Sequence, residues 1–211
     1  MGAITVQMTA ETAGATVIRR MPEPRGARLV TDGLDPKTWL VAASVLVGWG
    51  TSGLVGVGWA LAALCFAGVL PVLLIKLRVR SGAWSDRHLG VRRQRLMAMA
   101  MIVASVTCGA ALMAALGAPV PMVALLVAIG AVLTLLGAIT FVWKISVHTA
   151  ASSGSVVMLV LVYGVWALLA APLVVLVGWS RVALRDHTAA QTVAGAVVGS
   201  TAAWVVFSLV F

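Results

Sequence analysis

Outside the first 36 residues, nearly all side chains that could do chemistry fall into three short segments, at residues 76–95, 144–149 and 180–191. These segments contain every histidine of the chain: His88, His148 and His187. Arginine and lysine hold the oxygens of a phosphate group, a neutral histidine can attack phosphorus, and a protonated histidine can donate a proton to the leaving oxygen. The residue types therefore indicate chemistry on a phosphate ester.

The same residues also have a simpler interpretation. Lys and Arg gather at the cytoplasmic ends of membrane helices and orient the chain, and the histidines would then be interfacial side chains. For any single cation this interpretation is as good as phosphate binding. It explains the histidines less well, because each of them has a serine or an arginine nearby.

The third segment resembles the SRxxxxxHxxxD signature of the type 2 phosphatidate phosphatase superfamily. These are membrane lipid phosphatases, and their site also occurs in vanadium haloperoxidases. Ser180, Arg181 and His187 match the signature in type and spacing, and Gln191 stands where the family has Asp. This segment carries most of the resemblance, which covers roughly residues 76–200.

The second segment resembles a degenerate form of the family's PSGH motif. Ser146 and His148 are retained, whereas Ile145 and Val147 replace the proline and the glycine. The three segments also follow one another in the order in which the family's motifs occur.

The first segment resembles a degenerate KxxxxxxRP motif. Arg95 falls on the arginine of that motif, His88 on its lysine, and Leu96 on its proline. Arg87 or Lys76 would then supply the missing cation.

The resemblance implies a role for each matched side chain. His187 would be the nucleophile that forms a phosphohistidine, and His148 would be the general acid for the leaving alkoxide. The oxygens of the phosphoryl group would be bound by cationic, hydroxyl and imidazole side chains: Arg95, Arg181, Ser146, Lys144, Ser180, His88 and Arg87.

Gln191 is the departure with the largest chemical consequence. On a helix it is the i,i+4 neighbour of His187, so its amide oxygen can accept the imidazole Nδ1 proton and set the tautomer. It cannot stabilise an imidazolium with a full negative charge. Loss of the corresponding carboxylate in serine protease triads costs about 10⁴ in rate. Asp186 is an awkward substitute, because successive helical residues point about 100° apart.

Two functions follow from these residues. The first is a membrane phosphatase that acts on a lipid phosphate or diphosphate, with polyprenyl carriers slightly preferred over phosphatidate. The second is a protein that binds or translocates a phosphorylated lipid without hydrolysis, and a structural membrane subunit remains a third alternative. No Asp, Glu and His cluster has metal-ligand spacing, so we expect a site without metal or cofactor.

The composition determines where such a site must be positioned. Of the 211 residues 62% are hydrophobic and only 10% are charged, which excludes a water-soluble globule. The net charge of +9 would suit a nucleic-acid binder, but such a protein would not carry charge-free stretches tens of residues long. We therefore expect membrane lipids as partners and no nucleic acid.

The gaps between charges predict the membrane helices. Residues 38–75, 96–143 and 145–180 lack Asp, Glu, Lys and Arg. One helical span needs about 20 residues, so each gap suits a hairpin of two helices. With a last span near the C-terminus, the prediction is an all-α polytopic transmembrane bundle of about seven spans: 38–50, 54–75, 97–116, 120–143, 149–163, 165–179 and 191–210.

These hairpins would place all fifteen cations on one side of the membrane. Because Lys and Arg concentrate in cytoplasmic loops, we expect a multi-pass cell-membrane protein with its active site on the cytoplasmic face. Residues 1–36 are predicted to be a polar, mobile cytoplasmic tail, and residues 37–211 the phosphatase-like domain. Gly195 and Gly199 have the GxxxG spacing that packs helices, either within the chain or in a homodimer.

Overall fold

The computed structural model describes residues 24–81 and 92–210, except for the side chains of residues 92–95. Every regular element in these ranges is helical, which confirms the expected all-α fold for this part of the chain. A π-helical turn at Cys65–Val69 joins α2 to α3, and a 3-10 helix at Val165–Ala170 precedes α7. In chain order the α-helices are α1 (Arg25–Gly33), α2 (Pro36–Leu64), α3 (Leu70–Arg80), α4 (Arg92–Ala115), α5 (Val120–Thr140), α6 (Val147–Tyr163), α7 (Ala171–Ala183) and α8 (Ala189–Val210).

The first charge-free gap folds as a hairpin, because the chain reverses inside α2. Ser52 has φ −148° and ψ 22°, and Gly53 has φ 56° and ψ −132°. A Cβ atom added to Gly48 would lie 2.3 Å from the carbonyl oxygen of Gly56. Eight residues of straight helix would hold these two positions about 12 Å apart. The two halves of α2 therefore pack against each other, and only glycine permits the contact.

The other two gaps also fold as hairpins. Between α4 and α5 the chain turns at Gly117, which has φ 77°, and a Cβ atom on Gly130 would lie 3.3 Å from Val106. Between α6 and α7 it turns at Gly164, which has φ 79°. Breaks predicted at these glycines are confirmed, since both carry a left-handed φ that other residues rarely adopt.

Helices α6 and α8 pack closely against each other. A Cβ atom on Gly199 would lie 2.1 Å from the Ala150 carbonyl oxygen, and one on Gly195 would lie 2.4 Å from that of Ser146. The Ser153 hydroxyl also donates to the Ala196 carbonyl at 2.8 Å. Small residues let helix backbones approach and pack well without a hydrophobic driving force. The GxxxG pair thus packs two helices of the same chain.

Part of the stretch predicted as a mobile tail is an ordered helix. Residues 25–33 form α1, which packs against α7 and buries Ala27 and Thr31. The Thr31 hydroxyl donates to the Ser180 hydroxyl at 2.9 Å. Tertiary contacts of this kind stabilise a short helix that would be marginal alone.

The outer surface of the bundle is apolar. Large side chains such as Leu54, Val175 and Leu209 are more than two-thirds exposed. Contiguous exposed apolar surface of this extent marks contact with a membrane. By length and composition five helical stretches could cross a membrane: Arg25–Arg80, Leu96–Ala115, Val120–Thr140, Val165–Ala183 and Ala189–Val210. Helix α6 is also apolar but shorter, at 17 residues. The chain is thus a helical protein with the features of membrane embedding.

Candidate functional site

The hairpins bring the second and third chemical segments together at one end of the bundle. The backbone N–H of Ser146 donates to the carbonyl of Gln191 at 3.3 Å. The Lys144 ammonium donates to the carbonyl of Asp186. These two bonds tie the start of α6 to the turn between α7 and α8.

Only part of the first chemical segment lies within the described residues. His88 and Arg87 lie outside the described residues. Arg95 lies in the first turns of α4, and its side chain is likewise outside the described part of the chain. The phosphate-binding roles expected of these three residues therefore stay predictions.

The turn after α7 positions His187 beside Arg181. Arg185 adopts a left-handed conformation with φ 58°, which most often falls to glycine at the end of a helix. The backbone N–H groups of Asp186 and His187 then donate to the Arg181 carbonyl at 3.1 and 3.2 Å. The nucleophile candidate is thus held by the chain against the arginine that precedes it in the signature.

Gln191 has two functions at the start of α8. It forms a reciprocal capping box with Thr188: the Gln191 N–H donates to the Thr188 hydroxyl at 3.3 Å, and the Thr188 N–H donates to Gln191 Oε1 at 3.1 Å. The same Oε1 atom lies 3.2 Å from Nδ1 of His187. An amide oxygen only accepts, so this contact places the proton on Nδ1 and leaves Nε2 with a free lone pair.

Arg181 is the best-placed phosphate-binding candidate. Its side chain is 13% exposed, and one terminal nitrogen pairs with the Asp186 carboxylate at 2.9 Å. Its Nε atom is buried and has no hydrogen-bond partner among the described residues. Buried polar atoms are nearly always paired, so a lone buried donor indicates an acceptor yet to bind. Lys144 is exposed close by and adds a second positive charge.

The two serines of the motifs are fully buried and their hydroxyls are engaged within the fold. Ser146 caps α6 by accepting the Thr149 N–H at 3.4 Å. Ser180 donates to the Val177 carbonyl at 2.8 Å and accepts from Thr31. Both therefore stabilise helix ends in this structure, and a phosphate would compete with these partners.

His148 lies one residue before the predicted span 149–163 and is half-buried. It is within electrostatic range of Arg181, Asp35 and His187. Burial, followed by the charge of Arg181, lowers the pKa of His148 from 6.5 to about 4. This imidazole is therefore neutral at pH 7 in the absence of a bound anion.

The pKa of His187 is also below its ordinary value of 6.5. Burial is the main cause and the charge of Lys144 the second, while the hydrogen bond that the imidazole donates to Gln191 raises the pKa. A neutral imidazole with a free Nε2 is the form that can attack phosphorus. The arrangement thus combines a ready nucleophile with cations for the phosphoryl oxygens.

The sequence analysis missed three residues near the site, Asp35, Thr188 and Thr31, and only the first two carry a signal in the sequence. Asp35 caps α2 by accepting the Thr38 N–H at 2.9 Å, and an Asp before Pro is a usual start of a helix. Thr188 and Gln191 have the T-x-x-Q spacing of a capping box. Thr31 had no such signal, because its partner Ser180 is 149 residues away.

Among the described residues, no group of three or more His, Cys, Asp or Glu side chains is arranged to hold a metal ion. No protein-family model, curated protein or solved structure matches this chain. The resemblance to the phosphatase superfamily therefore rests on the quoted residues alone.

Proposed function

We propose that the protein is a membrane phosphatase that hydrolyses a lipid phosphate or diphosphate, with polyprenyl carriers slightly preferred over phosphatidate. One observation carries the proposal: Gln191 holds His187 by Nδ1, at 3.2 Å, beside Arg181, whose buried Nε has no partner in the described part of the chain. A positioned nucleophile next to an unfilled cationic donor is what phosphoryl transfer needs.

The proposed reaction has two steps. In the first, Nε2 of His187 forms a bond to phosphorus while the bond from phosphorus to the lipid oxygen breaks. His148, protonated once the bound phosphate has raised its pKa, gives that oxygen a proton. In the second, water attacks the phosphohistidine, the nitrogen–phosphorus bond breaks, and His148 takes up a proton from the water. Arg181 and Lys144 stabilise the charge on the phosphoryl oxygens throughout.

The placement in the membrane is part of the proposal. We infer about seven crossings, formed by the two halves of the first hairpin and the five helices that follow. The described cations lie mostly at the end that carries the site, and Lys and Arg favour the cytoplasm. The site would then face the cytoplasm of a multi-pass cell-membrane protein, and α8 would end on the opposite side.

Replacement of His187 by Ala tests the nucleophile. We expect the purified variant to release no phosphate from polyprenyl diphosphate or phosphatidate, and the parent to form an acid-labile phosphohistidine. The matched control is Arg25→Ala, which removes an exposed cation of α1 outside the three chemical segments and should keep parental activity. Equal phosphate release by His187→Ala and parent would overturn the assignment.

A non-hydrolytic binder or translocator of a phosphorylated lipid is the second candidate. Two observations favour it: Gln191 cannot supply a negative charge, and His148 is neutral at pH 7 in the empty site. Lipid phosphate binding without turnover would support this function. A trapped phosphohistidine would exclude it.

A further inference from the structure

An apolar cavity of about 290 Å³ lies between the helices and is partly open to the outer surface of the bundle. Among the described residues that line it, only Lys37 and Ser155 are polar. Helix α6 contributes one continuous face to the wall: Val147, Ala150, Ala151, Gly154, Ser155 and Met158. The opposite wall is formed by α5, from Leu125 to Leu136.

The cavity begins at the charged end of the bundle. Lys37, Ile75 and Val147 lie at this end, and His148 follows Val147 directly. On a helix, His148 lies about 20° from Ser155 around the axis, so it borders the face that lines the cavity. Between Val147 and Met158 the wall extends for about 16 Å along α6.

Within a bilayer, a lipid tail is the expected occupant of an apolar cavity. Such cavities do not hold water, because water would lose its hydrogen bonds there. The hydrocarbon core around the bundle offers lipid tails instead. A lipid whose tail occupied this cavity would present its head group beside His148 and Lys37, where positive charge favours an anion.

We propose that this cavity binds one hydrocarbon tail of the phosphorylated lipid. The inference rests on the proposed function, since it takes Arg181 and Lys144 as the cations that bind the phosphate. The tail aligns the phosphorus with His187 by anchoring the lipid along α6. The chemical class is a linear prenyl or acyl chain.

Photolabelling of the full-length protein in nanodiscs tests the tail site. The probes are a prenyl phosphate and a phosphatidate, each with a diazirine near the end of one tail. We expect labels at the deep end of the cavity, on Leu125 and Met158. The probe with the stronger labelling at equal mole fraction identifies the tail type. Labels confined to outward-facing residues such as Val175 and Leu209 would overturn the proposal.

Two substitutions add a quantitative test. Ala151→Trp fills the cavity from α6, and we expect deep labelling to fall about tenfold or more. Ala111→Trp places the same side chain on an exposed position of α4 and should leave labelling unchanged. If Ala151→Trp fails to fold, Val132→Phe fills the cavity from α5 instead. The positions labelled in the parent protein test the tail site independently of both variants.

The outcome is separable from that of the proposed function. Deep labels on a protein in which His187→Ala keeps full phosphate release would support the tail site and refute the phosphatase. Phosphate release that depends on His187, with labels only on the outer surface, would support the phosphatase and refute the tail site.

Discussion

At the scale of single residues, the Gln191 side chain both caps α8 and accepts a hydrogen bond from His187. Gln191 Oε1 accepts from the Thr188 N–H and from His187 Nδ1, which uses both of its lone pairs. A capping interaction contributes about 1 kcal/mol to helix stability. The same contact selects the tautomer of His187. A glutamine can therefore be retained here for the helix as well as for the imidazole.

Replacement of Gln191 by Asp tests whether a missing charge limits the reaction. If the protein is a phosphatase, we expect phosphate release to rise at least about tenfold, because a carboxylate stabilises the imidazolium that forms. Gln191→Asn is the matched control, since it has the length of Asp without its charge. Equal rates for the Asp and Asn variants would show that charge at this position does not limit the rate.

A second prediction concerns the protonation of the histidines. In the empty protein we expect His148 to titrate near pH 4 and His187 below 6.5. Inorganic phosphate should raise the pKa of His148, because a nearby dianion favours the imidazolium. Histidine NMR resonances followed against pH, with and without phosphate, measure both effects, and chloride at equal ionic strength is the control. Titration of His148 near 6.5 in the empty protein would contradict the burial argument.

The same shifts predict a loss of stability in acid. Both histidines have a lower pKa in the folded protein than in the unfolded chain, so the unfolded state binds more protons. Their stabilising contribution is complete above about pH 6.5 and falls as the pH drops towards 4. Thermal unfolding of the parent and of His148→Asn across this range should differ in slope. Parallel curves would show that His148 contributes nothing to the acid sensitivity.

At the scale of helices, charge spacing predicted most of the architecture. Three charge-free stretches are too long for single spans, and each folds as a hairpin at the predicted glycines. They are bounded by Lys37 and Lys76, by Arg95 and Lys144, and by Lys144 and Arg181. Burial of a charged side chain in hydrocarbon costs free energy, so a long stretch without charged residues strongly indicates membrane helices. Gln191 as the partner of His187 was also predictable from helical spacing.

The contact between α6 and α8 yields a stability prediction. Gly199→Ala adds a methyl group 2.1 Å from the Ala150 carbonyl, so the helices must separate. Overpacking of this kind costs about 1–3 kcal/mol, or a fall in Tm of about 2–12 °C. Gly137→Ala is the control, because no neighbour lies within 4 Å and alanine favours a helix. Thermal unfolding in detergent compares them, and a parental Tm for Gly199→Ala would refute the close contact.

At the scale of the whole molecule, the sequence did not reveal how distant elements meet. Thr31 and Ser180 are 149 residues apart in sequence, and their hydrogen bond joins α1 to α7. Ser146 and Ser180 likewise match a phosphatase motif, but their hydroxyls stabilise helix ends once the chain is folded. Motif matching assigns residue types and cannot assign the partners that folding brings to them.

Cysteine accessibility tests the membrane arrangement. In a variant with Cys65 and Cys108 replaced by Ala, we expect Val165→Cys to react with an impermeant reagent added outside the cell. Val165 is preferable to Gly164, whose φ of 79° disfavours any side chain. Lys76→Cys, at the end that carries the site, should react only from the cytoplasm. Reaction of Val165→Cys from that same side alone would contradict the third hairpin as a membrane-crossing unit.

The bond between Thr31 and Ser180 has a consequence for how the protein is made. The ribosome adds about 5–20 residues per second, so α1 waits roughly 7–30 s for a partner that is synthesised 149 residues later. During that interval its apolar face lacks α7 and meets only lipid, translocon or chaperone. The chemical end of the bundle is therefore completed among the last events of biogenesis.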